Sequence, residues 1–144
     1  MSALTLSAAN TIMQAGLAEA AAAGMKPLAI VVLDAGGHVK AFQRSDGASN
    51  LRFEIACGKA YGCVSLGIGG RAVNAMAEAR LHFMQGLSGV SGGKIIPVPG
   101  GVLIRDSNNA IIGAVGVTGD TSDNDEKAAV AGIKAAGLTP DTGA

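Results

Sequence analysis

His38 and His82 are the only imidazoles in 144 residues, so acid–base or metal chemistry in this chain must draw on other groups as well. Strand alternation puts His38 with Lys40, Phe42 and Arg44 on one face, where an imidazole could serve as acid, base or metal ligand. His82 stands one helical turn after Glu78 and could pair with it. Arg44 or Lys59 could hold a carboxylate while Asp46, Asp125 or His38 moves a proton. Asp46 is the nearest obvious charge partner for Lys59 if its loop folds over the start of the following helix. Met13 offers a thioether that could ligate a metal, although a methionine at helical spacing on an apolar face is ordinarily a core filler.

Several familiar signatures are missing. The sequence has no Cys/His cluster at zinc spacing, no CxxCH, no G-x-S-x-G and no P-loop. Gly67 to Ala72 matches G-x-G-x-x-A, but a helix precedes it where the dinucleotide fingerprint requires a strand. Asp120, Asp123 and Asp125 do not fit a calcium loop and suit a helix start, where free N–H groups and the helix dipole favour carboxylates. No metal site is expected. Cys57 and Cys63 would be separated by roughly 9 Å of rise on one helix and face different directions, so they read as free, buried thiols.

The elements that must position these groups follow from periodicity. Val102 to Arg105 and Ala110 to Thr118 are apolar, partly β-branched runs joined by Asp106 to Asn109, a hairpin. Ser122 and Asp125 form a capping box for a helix running to about Gly137. Upstream, Leu4 to Gly24 reads as a helix whose Gly16 implies close approach to a sheet. Leu28 to Leu33 is apolar on both faces, as in a central strand, and returns through Asp34–Gly37 into His38–Arg44. Two helices follow, Asn50 to Leu66 and Arg71 to Gln85. The first has an apolar stripe of Phe53, Ala56, Cys57, Ala60 and Val64, with Lys59 on another side. Leu87 to Gly93 is expected as a mobile linker, Lys94 to Val98 as an interrupted edge strand, and Leu138 to Ala144 as a frayed tail. The order implies an α+β fold: a five-stranded, mostly antiparallel sheet with about four packed helices in a single domain spanning 1–144.

Half the residues are apolar but only four are aromatic, so the core must be built from Ala, Val, Ile and Leu. Eleven basic and eleven acidic side chains cancel, which argues against nucleic acid or an anionic membrane surface as partner. Near-zero charge with positive mean hydropathy suits a homo-oligomer. No apolar run approaches the roughly 20 residues of a membrane span, and the reading is cytoplasmic.

PGGV from Pro99 to Val102, the strand IIGAVGVTG, DE followed by AAVAGI, LAIVVLDAGGHVKAFQRSDGAS and the Lys59–Ala60 pair together resemble the GlcG/HbpS-like haem-degrading domain family. That family also supplies the C-terminal domain of PduO-type proteins. The resemblance implies a profilin-like architecture, a tetramer or octamer, haem or a related tetrapyrrole as ligand, and Lys59 near the pocket. Pro99, Gly100, Gly101, Gly119, Arg44, His82 and Met13 are the expected cofactor-binding positions; Lys59, Asp46, Asp125 and His38 are the catalytic candidates. If haem binds, Met13, His38, Tyr61 or His82 must ligate the iron, or no side chain does. Two other readings stay open: a cofactor-free enzyme acting on a small organic acid, and a non-catalytic metabolite-binding or assembly subunit. All three require Asp46, Lys59, Pro99 and Gly119 to converge on one cavity, and predict that Gly119→Val harms the site more than the fold.

Overall fold

A computed structural model describes residues 3–144. Helix α1 (Leu6–Ala22) starts where Thr5 Oγ1 accepts the Ala8 N–H. Strands β1 (Ala29–Asp34) and β2 (Val39–Arg44) form the first hairpin. Helices α2 (Arg52–Leu66), α3 (Gly70–Ala79) and α4 (Leu81–Val90) follow, then the hairpin β3 (Gly101–Arg105) and β4 (Ile111–Thr118). Helix α5 (Ser122–Ala135) and strand β5 (Thr139–Asp141) complete the chain. The sheet order is β2-β1-β4-β3-β5, every pairing antiparallel.

Alternation along the three inner strands builds two cores. Ile30, Val32, Val102, Ile104, Val115 and Val117 face α1 and α5, where Met13, Ile12 and Ile133 are buried. Val31, Leu33, Leu103 and Ala114 face α2 through Ala56, Ala60 and Cys63. Strand β1 is thus covered on both sides, as its composition required. Gly16 makes the expected close approach: a Cβ there would sit 2.9 Å from Ile30 Cδ1.

Four local expectations are corrected. The helix expected over 71–85 breaks at Arg80 (φ −138°, ψ 64°), giving five helices instead of about four, and α4 runs into the expected linker. The break lets Val73 of α3 and Met84 of α4 bury against the same Ile95. Residues 94–98 form no strand; Pro97 and Pro99 lack the N–H a ladder needs, and Ile96 instead donates to the Gly58 carbonyl. The tail is not frayed: β5 pairs with β3, and Asp141 meets Arg105 at 2.9 Å. The cap of α5 lies one residue early, at Thr121, which accepts the Asn124 N–H.

Helix α4 buries only Met84 along its length. A Cβ at Gly86, in its middle, would meet nothing within 4 Å. Gly86→Ala should therefore raise stability by ~0.5–1 kcal/mol through reduced chain entropy, read as a higher urea midpoint at constant slope. A lower midpoint would mean that a neighbouring surface already occupies that face.

Candidate functional site

Two neighbourhoods carry the chemistry, and they are distinct. The first is built by glycines. Gly101 and Gly116 are cross-strand partners on β3 and β4, so the sheet there has a notch with no side chain on either strand. Helix α2 settles into it: a Cβ on Gly116 would overlap the Ala56 carbonyl, and one on Gly101 the Lys59 carbonyl. Lys59 then points to the end of the sheet, passing Gly100, whose absent Cβ would sit 2.9 Å from Nζ and 3.0 Å from Cδ. There Lys59 Nζ donates to the Val117 carbonyl at 3.0 Å and to Asp125 Oδ2 at 2.9 Å.

That ion pair is 4% exposed at Lys59 and 1% at Asp125. Burial pushes the Asp125 carboxyl above its ordinary range, against the pull of the Lys59 ammonium and of the Asp120 N–H bonded to Oδ1. Because α2 and α5 lie on opposite faces of the sheet, the pair fastens the two helical layers around its end. Arg71 of α3 reinforces this fastening, reaching Asp123 at 2.7 Å and Glu126 at 2.9 Å. Arg52 donates to Thr118 at 2.8 Å. Asp120 is committed as well: the Lys26 N–H, the Asn124 amide and the Thr121 N–H hold its carboxyl down to about 2.

Of the residues expected to share one cavity, Lys59, Gly100, Gly101 and Asp125 therefore converge, with Pro99 next in the chain, but on one another. Gly119 (φ 140°) reaches the pair through its backbone, the N–H of the next residue, Asp120, bonding Asp125, while a Cβ on it would run into the Pro27 carbonyl and Leu28. Asp46 is exposed beside the same Pro27–Leu28 segment, in a depression with Leu17 and Met25. The four-residue convergence does not form, and a side chain at position 119 strains the fold before it touches a site. Arg44 and His82 are exposed. Met13 is core on the face opposite α2. His38 is exposed and sits 3.4 Å from Asp34, which together with Gly36 lines a separate depression. Lys59 also belongs to the buried stripe of α2, in the series Ala56, Lys59, Ala60 and Cys63, and not to another side.

The second neighbourhood is a half-open cleft of about 400 Å³ between α2, the β1–β2 hairpin and the segment after α4. Leu33, Val39, Phe53, Cys57 and Tyr61 give it apolar and aromatic walls; Glu54 and Lys94 supply its charges. It falls in the size range of ligand clefts, ~300–1,000 Å³. Val39 reaches it because of a bulge: Val32 pairs with Ala41 but Leu33 with Val39, so one extra residue on β2 reverses the alternation. Val39 thereby joins Leu33 and Phe42 on the α2 side, where Phe42 meets Phe53 edge-on at 4.7 Å. Gly37 (φ 84°) lets the Tyr61 ring lie against the hairpin turn; its Cβ would be 3.0 Å from the ring. Lys94 Nζ lies 5.5 Å from the Tyr61 ring centroid. Burial raises the Cys57 thiol to about 11, with Glu54 adding to the effect.

Sequence reasoning missed this cleft, having assigned Phe53 and Cys57 to the core stripe. The available signal was Glu54, Cys57, Gly58 and Tyr61 at i, i+3, i+4 and i+7, a second face of the same helix. Among the described residues no group of three or more His, Cys, Asp or Glu side chains is placed to hold a metal ion. No helix among them is long and apolar enough to cross a membrane.

A family model described as haem degrading protein, HbpS-like, matches residues 4–134. Among solved structures the chain is similar to a PduOC:heme complex, with 22% identity, a TM-score of 0.84, and 95% of this chain and 97% of that one covered. It is similar to the Klebsiella pneumoniae protein ORFY at 29% identity and a TM-score of 0.82, covering 93% and 90%. It is also similar to HbpS at 25% identity and a TM-score of 0.78, covering 93% and 90%. No curated protein gives a sequence match.

Proposed function

The chain belongs to the HbpS-like family of haem-degrading proteins, and from that premise we propose that it binds haem in the cleft between α2 and the β1–β2 hairpin. The observation that carries this reading is the composition of the cleft wall. It has two aromatic rings, aliphatic side chains from two strands, a cation at Lys94 for a propionate, and oxygen and sulfur donors at Tyr61 and Cys57. That donor set fits a metalloporphyrin. Haem, when bound, would supply the redox chemistry of its iron; the chain's residues exclude water from one face of the ring and hold its charge. Degradation is the activity named for the family. Here Glu54 and Lys94 are the charged groups lining the cleft, and the reading is of binding.

The organic-acid enzyme finds less support. Lys59 and Asp125 neutralise each other away from the cleft, while Arg44 and Asp46 are solvent-exposed. A homo-oligomer is supported by α4, which exposes Leu81, Phe83 and Val90 and has no lysine, arginine or carboxylate. Solution mass decides that point. Two free thiols accord with a cytoplasmic protein.

Haem titrated into the protein should give a Soret band saturating at one haem per chain. Val39→Glu, at a position 51% exposed and so tolerant of the change, should weaken binding tenfold or more, about 1.4 kcal/mol. Met13→Leu should leave it unaltered. Unchanged affinity in Val39→Glu would remove the cleft as the site.

A further inference from the structure

We propose that Tyr61 is the protein ligand to the haem iron, an inference that rests on the haem-binding reading above. The structure narrows the donors. Met13 is sealed in the core on the far side of the sheet. His38 alternates away from the cleft between Gly37 and Val39 and is held toward Asp34 at 3.4 Å. His82 is exposed on α4 and does not line the cleft. Tyr61 and Cys57 remain, one turn apart on the same face of α2.

Three features separate the two. The Tyr61 ring is half-buried, lies against the side-chain-free Gly37 of the hairpin turn, and packs on both the cluster around Ala60 and Cys63 and the cluster around Val73, Met84 and Ile95. A ligand whose rotamer is set by packing is oriented before the iron arrives. Its hydroxyl makes no side-chain hydrogen bond among the described residues, nor is it a buried group left without a partner. The oxygen is therefore available from the cleft side. At Cys57, by contrast, burial and the Glu54 carboxylate push the thiol up to about 11, away from the thiolate a metal takes. Tyrosinate is an established haem ligand type. The bond forms between the phenolic oxygen and ferric iron; the phenolic proton leaves to solvent, and no electron is exchanged. An anionic oxygen ligand stabilises ferric over ferrous iron, so the potential should be low.

The test uses spectroscopy of the ferric, haem-loaded chain. The wild type should show the phenolate-to-iron charge-transfer band in the visible region and tyrosinate modes in its resonance Raman spectrum. Tyr61→Phe should lose both while still taking up one haem per chain with less than tenfold loss of affinity. Cys57→Ser should retain both. Tyr61→His should exchange them for an imidazole-type spectrum. Tyrosinate signals that persist in Tyr61→Phe, or a histidine- or thiolate-type spectrum in the wild type, would overturn the assignment while leaving haem binding intact. Absence of any Soret band in the wild type would instead overturn the haem-binding reading itself.

Discussion

Lys59→Met is expected to cost ~3–5 kcal/mol of folding stability, the range for removing one partner of a buried ion pair. The methionine fills the passage beside Gly100 but leaves the Asp125 carboxylate, 1% exposed, with the Asp120 N–H as its remaining donor. Asp125 already titrates high because it is buried, and Lys59 is what holds it down; without the ammonium its folded-state value must rise further. The unfolded carboxyl then loses its proton first as pH rises above its ordinary value of 3.8. Native protein binds more protons through that window, so its stability falls as pH rises. The variant should be least stable at neutral pH and recover on acidification toward pH 4. Combining Lys59→Met with Asp125→Asn removes the charge and should restore at least half the loss. Urea unfolding at pH 7 and pH 5 reads all of this. Haem affinity of the folded variant should hold, because neither residue lines the cleft. A single variant that unfolds like the wild type, or one that keeps its fold and loses haem, would return Lys59 to the catalytic candidates.

The framework was legible where a pattern repeats over several residues. Strand β1 announced its two covered faces through Leu28–Leu33, and the turn residues at 34–37 and 106–109 fixed both hairpins. Expectation failed where a single residue departs from the pattern. One extra residue on β2 turned Val39 toward the cleft, which no alternation count can anticipate. Arg80 interrupted a continuous helical signal because Val73 and Met84 both find Ile95, a contact between distant parts of the chain. Strand β5 came from a tail with no strand signature; edge pairing to β3 and the Arg105–Asp141 contact order it. The Pro99–Gly101 motif, expected to share a cavity with Lys59, does lie against that side chain. What its missing side chains admit is the lysine itself.

Gly116→Ala should destabilise the protein by about 3 kcal/mol, at the upper end of overpacking, although alanine is among the gentlest substitutions elsewhere. The new methyl group would overlap the Ala56 carbonyl, a backbone group of α2 that cannot rotate away. Its strand partner Gly101 offers no slack, since it already meets the Lys59 carbonyl. Helix α2 must therefore lift from the sheet, loosening Ala56, Ala60 and Cys63 from Leu103 and Ala114 and drawing Lys59 back from Asp125. The same helix carries Phe53, Cys57 and Tyr61, so the cleft widens with it. Haem affinity should fall together with the unfolding free energy, whereas in Lys59→Met the two should part. Gly86→Ala, where nothing stands within 4 Å, provides the comparison that separates the contact from any general effect of replacing glycine. If Gly116→Ala matches the wild type in melting temperature and haem affinity, α2 is not seated in the glycine notch, and the account of how this fold positions both of its neighbourhoods fails at its first step.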